Sequence, residues 1–288
     1  MKKEMKTCAS YAYWKLADKD REFIINARKS ENPNINIARI HNSYSYDQKE
    51  FFYDDVTEPD IDSFVSDDYK RYKELLRDFD ICQPKVRNKM IVGLNFGGSK
   101  NSPTCPPLHN FHNSKNDMYL AIGVIKTGFE GAFLTDIIKE TPTVEGNEAK
   151  KIWENMSAKE KKKHQELFLK EIRDIVWENS GTWEYLTIVA LGIVANKILK
   201  EVLEMPDTVE ALNKYKLVPV LCKLIHYSTR LKNGFSERDK NYIMLNQFAE
   251  LEAFLTKRKL LGVASEENAK KLNLVAIKGL NAVEFEIH

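Results

Sequence analysis

Residues 90–99 read Met90-Ile91-Val92-Gly93-Leu94-Asn95-Phe96-Gly97-Gly98-Ser99. An apolar run closes on one amide, Asn95, and then on two glycines. This is the pattern of a strand buried in a parallel sheet that delivers one polar group at its carboxyl end and then turns. Open α/β sheets bind their ligands outside the carboxyl ends of the strands. Asn95 is therefore the first candidate site residue. Gly97 and Gly98 follow, because without a Cβ their amides can approach a phosphate or a base oxygen closely.

Outward from this stretch, strands alternate with helices. Residues 89–94 form the first strand. The loop 95–110 carries Pro103, Pro106 and Pro107 and can neither continue a helix nor pair in a sheet. A helix is expected over 115–126, a second strand over 132–138, and a loop from Pro142 onward. Ser157-Ala-Lys-Glu160 is a capping-box pattern, with Leu167, Phe168, Ile172, Ile175 and Val176 on one helical face behind it. Residues 184–191 are the third strand. Gly192 opens a helix over 193–204 that stops before Pro206, and 217–225 is the fourth strand. Ser236-Glu-Arg-Asp239 caps a helix whose apolar positions, Ile243 to Leu255, turn inward. Such alternation predicts a three-layer αβα domain around a mostly parallel four-stranded sheet.

Four segments in this order carry a resemblance. Gly93-Leu94-Asn95-Phe96-Gly97 resembles the first motif of the uracil-DNA glycosylase superfamily, in its mismatch-specific and thymine-DNA glycosylase branch. Residues 111–122 resemble that branch's Phe and His-Asn segment, and 131–143 its Gly-x-x-Thr stretch. Leu224-Ile225-His226-Tyr227-Ser228 resembles the second motif, at the end of the last core strand. The likeness covers roughly residues 88–256.

The resemblance implies a monofunctional base-excision DNA glycosylase without cofactor, hydrolysing the N-glycosidic bond of a damaged or mispaired, uracil-type base in DNA. Such an enzyme flips the nucleotide into a pocket, stacks on the base, reads its edge, places a water and stabilises the leaving base. The resemblance assigns Asn95 to the attacking water and Phe111 to the stack. It puts Asp136 at the base edge, flanked by Thr135 and Lys139. His226 falls near the base oxygen that gathers charge, and Ser228 near backbone or phosphate. Three departures accompany it. Phe96 and Tyr227 replace prolines that stiffen these loops. Asp136 stands where uracil-specific branches carry Asn, and an ionised Asp only accepts hydrogen bonds. Arg230 stands near the apolar wedge of relatives, with Leu231 the nearest substitute. These departures keep a second reading open, a catalytically silent relative that binds nucleic acid or a protein partner. A hydrolase acting on free nucleosides or nucleotides is a third.

The length of the chain fits one large domain or a domain plus an extension. Its 288 residues can bury a full core, and 43% hydrophobic with 30% charged residues excludes a disordered chain. No apolar run approaches a membrane span of about 20 residues. The start, Met-Lys-Lys-Glu-Met-Lys, lacks the apolar stretch of a secretory signal. Cys8, Cys82, Cys105 and Cys222 are too widely spaced for an iron–sulfur cluster and read as free thiols of a reducing cytoplasm. Cys105, His109 and His112 lack a nearby fourth ligand, so no metal is expected.

A net charge of +2 does not by itself point to nucleic acid. Its distribution is more informative. Nine acids fall within 47–68 against Lys49 alone, whereas Lys223, Arg230, Lys232, Arg238 and Lys240 surround the second motif against Glu237 and Asp239. A DNA backbone needs such local positive charge, and Arg230 and Lys232 are its candidate phosphate contacts. The chain divides into a mainly helical N-terminal extension, 1–84, the αβα domain, 85–256, and a C-terminal addition, 257–288. The extension has a short helix around Phe23 and packing aromatics at Tyr11, Tyr13 and Trp14. The addition is expected to carry a short helix and edge strands at 274–277 and 283–287.

Overall fold

The computed structural model describes residues 9–12, 14, 16–30, 86–95, 110–111, 116–139, 146–177, 180–227, 236–265, 275–280 and 284–287. Four parallel strands form its centre: β2 (Lys89–Asn95), β3 (Phe133–Ile138), β4 (Glu184–Leu191) and β5 (Leu217–Leu224). Their spatial order is β3-β2-β4-β5. The chain moves from β2 to β3 on one side and returns to β4 on the other. Between β2 and β4 the winding reverses, and in open α/β sheets that reversal opens a crevice at the strands' carboxyl ends.

The sheet is wider than four strands. β6 (Val275–Leu280) adds in parallel to β5, and β7 (Glu284–Ile287) closes that edge antiparallel. At the other edge β1 (Ser10–Tyr11) runs antiparallel to β3. The expected edge strands of the C-terminal addition are thus present, with the first extending to Leu280. Pro219 lies inside β5 but ahead of the first β5–β6 partner pair, Val220 with Val275, where a missing N–H costs no ladder bond.

Strand alternation sends side chains into two separate cores. Met90, Val92, Leu186, Ile188 and Leu221 face one helical layer. It consists of α3 (Gly146–Asn155), α4 (Ala158–Glu171), α5 (Ile193–Leu203) and α6 (Pro206–Lys214). The last turn of α4 continues as a π-helical segment, Ile172–Val176. Ile91, Leu134, Val189, Val220 and Cys222 face the other layer. That layer holds α1 (Asp18–Lys29), α2 (Asp117–Val124) and α7 (Glu237–Lys257). The architecture is the expected three-layer αβα sandwich. Among the described residues no helix is long and apolar enough to cross a membrane.

Both capping boxes form. Ser157 Oγ accepts from the Glu160 N–H at 3.3 Å while Glu160 takes the Ser157 N–H at 2.7 Å. Ser236 and Asp239 make the same reciprocal pair at 3.2 and 2.7 Å. Two helices depart from expectation. The polar segment after Pro142 holds α3, because Ala149 and Trp153, four apart, bury one stripe against the sheet. α5 stops before Pro206 as expected, but Pro206 then starts α6 from its first turn, where its missing N–H would be unpaired in any helix.

The described residues of the N-terminal extension, within 9–30, pack into the core of the domain. Trp14 and Ile24 are fully buried in the core beneath α7. Arg28 Nη2 donates to the carbonyls of Ile122 at 2.6 Å and Gly123 at 2.9 Å, and Nη1 donates to that of Ile125. Its Nε donates to the Leu245 carbonyl at 2.9 Å. One guanidinium therefore satisfies the open carboxyl end of α2 and ties it to α1 and α7. Burial lowers its pKa to about 10, while Glu130 and Glu252 pull it back. The acidic stretch 47–68 and the helix expected over 67–79 lie outside the described residues.

Replacing Arg28 with Ala strips these carbonyls of a charged donor and is expected to cost about 2–4 kcal/mol. Urea unfolding measures it. A loss below about 0.5 kcal/mol would mean that water serves the carbonyls equally well.

Candidate functional site at the carboxyl ends of the sheet

Gly93 opposes Asp136 in the β2–β3 register, on the sheet face that Ile91 and Leu134 share. A Cβ on Gly93 would stand 2.4 Å from Asp136 Oδ1 and 2.6 Å from Phe111 Cζ. The glycine is thus required by close approach. It lets a carboxylate and an aromatic ring meet over the strand. Asp136 is 4% exposed, and its Oδ2 accepts from Asn110 Nδ2 at 2.8 Å. The Asn110 carbonyl in turn accepts from Ser10 Oγ at 2.6 Å, so β1 supports this end of the loop. Phe111 has φ 61, a left-handed conformation that a bulky side chain adopts only where its surroundings hold it.

Burial pushes the Asp136 carboxyl up to about 6. The positive charge of Lys139 and the Asn110 hydrogen bond pull it down, while Glu171 and Asp117 push it further up. Near neutral pH Asp136 is mostly ionised and a hydrogen-bond acceptor. Asn95 ends β2 on the same face, one alternation beyond Gly93, and is partly exposed.

His226 follows β5. Gly192, the residue between β4 and α5, has φ 92 and lies close by, its Cβ position 3.5 Å from His226 Cβ. Burial lowers the His226 pKa to about 4, so its imidazole is neutral near pH 7 and offers one donor and one acceptor. Its ring stacks on Tyr227, with centroids 4.4 Å apart and planes at 24°. Tyr227 meets the Phe111 ring edge-on at 6.3 Å. The Tyr227 hydroxyl is hydrogen-bonded to the carboxylate of Asp117 in the first turn of α2, and its pKa is raised well above the usual value by burial first and by that carboxylate next.

Phe111, Asp136 and His226 are therefore linked at one end of the sheet, with Asn95 at the end of the neighbouring β2. Thr135 and Lys139 are not with them. Alternation turns Thr135 to the opposite layer, where Lys139 Nζ pairs with Glu171 Oε2 at 2.8 Å and Thr135 Oγ1 bonds the same carboxylate at 3.0 Å. The Lys139 N–H donates to His164 Nδ1 at 3.1 Å. These groups join the end of β3 to α4 and do not face the site. Gly97, Gly98, Ser228, Arg230, Leu231 and Lys232 lie outside the described residues, as do Cys105, His109 and His112.

Three site residues escaped the sequence reading: Asn110, Asp117 and Tyr227. Asn110 directly precedes Phe111, and Asp117 lies inside the 111–122 segment that carries the resemblance, where polarity was the only signal either offered. Tyr227 registered only as a missing proline. No protein-family model, curated protein or solved structure matches the chain.

Two outcomes test this geometry. Gly93→Ala forces Phe111 or Asp136 aside and is expected to cost about 1–3 kcal/mol, with a shift of the Asn110 side-chain amide resonance. Wild-type stability and an unmoved resonance would contradict the close approach.

The second outcome is a pH dependence. Asp136 titrates in the unfolded chain near 3.8 and in the folded one near 6. Its contribution to stability is complete below the unfolded value and is lost as pH rises through the folded one. Two pH units at about 1.4 kcal/mol each give a loss of about 3 kcal/mol. Asp136→Asn should remove that fall from the stability–pH curve, as measured by denaturant titration between pH 3.5 and 7. Parallel curves for the two proteins would contradict it.

Proposed function

We propose that this chain is a DNA-glycosylase-like protein that releases a damaged or mispaired base of the uracil type by hydrolysing its N-glycosidic bond. The observation that carries this reading is the joint position of Phe111, Asp136 and His226 at the carboxyl end of the sheet. It lies beside the reversal in strand order, with Asn95 ending the strand next to them. In this reading Asn95 orients the attacking water. A neutral amide holds water without accepting its proton, which makes slow chemistry. Phe111 supplies the aromatic surface, worth roughly 1–3 kcal/mol per stacked base. Asp136 accepts from the base edge, and neutral His226 donates to the oxygen that gathers charge. Arg230, Lys232, Ser228, Gly97 and Gly98 are assigned to the phosphate backbone in this reading. No cofactor or metal takes part in this scheme.

One observation favours a second reading. Asp136 is buried and already bonded to Asn110, and the tip of the Phe111 ring occupies the same spot over Gly93. A carboxylate already satisfied by its own neighbours suits a catalytically silent protein that binds nucleic acid or a protein partner.

A panel of single lesions in single- and double-stranded DNA separates the two. In the glycosylase reading at least one lesion loses its base. Asn95→Ala and His226→Ala then slow single-turnover release far more than they weaken binding, by roughly 2–4 kcal/mol for the donor at the leaving base. Asp136→Asn, which restores an amide that both donates and accepts, shifts preference toward uracil. Binding without release by wild type and by Asp136→Asn on every lesion selects the silent protein. Arg230→Glu with Lys232→Glu should weaken binding on all sequences and flatten its salt dependence. Unchanged binding would leave these two cations as ordinary solvated surface.

A further inference from the structure

Tyr227 occupies the position at which the resembled motif has a stiffening proline. A proline limits its loop through its own ring, before any tertiary contact forms. Tyr227 has no such constraint, yet it is only 8% exposed and is held on three sides. Its face lies on His226, its ring meets Phe111 edge-on, and its hydroxyl bonds Asp117 at the start of α2. Asp117 is itself 3% exposed. Just before these residues, Ile225 is pinned to α7. Its N–H donates to Gln247 Oε1 at 3.1 Å, and its carbonyl accepts from Gln247 Nε2 at 3.3 Å. The chain leaving β5 is thus clamped from two helices, through backbone at Ile225 and through side chain at Tyr227.

We propose that Tyr227 is the positioning residue of this site, its aromatic ring packed against both the imidazole of His226 and the ring of Phe111 and so fixing one relative to the other. Tertiary packing here replaces the covalent stiffness of a proline. The aromatic face excludes water from one side of His226 and keeps the imidazole neutral. Near His226 lie Gly192 before α5 and Tyr227, with Asp117 of α2 and Asp136 of β3 beyond the tyrosine, while Gln247 of α7 holds the preceding Ile225. Lys223 precedes it on β5. The catalytic use of this arrangement rests on the glycosylase reading, but the arrangement itself can be measured without DNA.

The test follows the His226 Cε1 proton by NMR across pH 3–8, with its resonance assigned through His226→Gln. In wild type the midpoint lies near 4. Tyr227→Phe keeps the stack, so the midpoint stays within a few tenths of a unit. Tyr227→Ala removes the stack and should raise the midpoint by a unit or more toward 6.5, the ordinary value for histidine. Tyr227→Leu keeps most of the volume without the planar face and gives the same contrast where the alanine variant does not fold. A midpoint that stays near 4 in folded Tyr227→Ala or Tyr227→Leu overturns the proposal. An equal rise in Tyr227→Phe also overturns it, since the stack would then not be what holds the imidazole. Absence of base release by wild type would refute the glycosylase reading and leave this result standing.

Discussion

Two groups share one spot over β2 because Gly93 has no side chain. The Asp136 carboxylate arrives from β3 and the Phe111 ring from the loop before α2, and both come closer than any Cβ there would allow. Everything at the carboxyl end of the sheet depends on that contact. It pulls Asp136 out of water, which raises its pKa, and it gives Asn110 a carboxylate to hold. Phe111 is kept in a left-handed conformation that a free loop would abandon. From Phe111 the contact passes to Tyr227, and from Tyr227 to His226 and Asp117. The site is a chain of side chains from four separate segments, anchored at one glycine.

The rest of the fold keeps those segments in place. On the site's own side, Arg28 from α1 closes the carboxyl end of α2 and binds α7, so the segment preceding the αβα domain helps to set the helix that carries Asp117. Across the sheet, the buried Lys139–Glu171 pair and His164 join α4 to the end of β3. Burial pushes the Glu171 carboxyl up, and Lys139 and Thr135 pull it back. Removing either partner would leave an uncompensated buried charge, which is costly. Asp136 therefore sits on a strand end held from both layers. Such rigid support is what a preorganised site requires, because a catalytic group loses effect when its geometry loosens.

Much of this was legible in the sequence. The four central strands stood out because each is a short apolar run with a turn signal after it, and 184–191 coincides with β4 at both ends. Both serine caps announced their helices through a carboxylate three residues on. α3 was hidden because its buried stripe is only Ala149 and Trp153 amid charge, and α6 because Pro206 reads equally as a stop and as a start. β1 is a two-residue strand that exists only through its pairing with β3, a long-range contact that local pattern cannot show. The site was legible as strand ends but not as a network. Asn110, Asp117 and Tyr227 have ordinary local sequence, and only tertiary packing brings them to Asp136, Phe111 and His226. Thr135 and Lys139 were grouped with Asp136 because they are neighbours in the chain, whereas a strand turns consecutive side chains to opposite faces.

In the proposed glycosylase reading, the carboxyl end of the parallel sheet is where a nucleobase in DNA would be met. Amide and side-chain chemical-shift changes, recorded as a short duplex with a single lesion is titrated into labelled protein, test it most directly. The largest changes are expected on Asn95, Phe111, Asp136 and His226, and little change at the opposite end of the sheet, at Lys89, Phe133, Glu184 and Leu217. Changes concentrated at that opposite end, or none with any lesion, would contradict it.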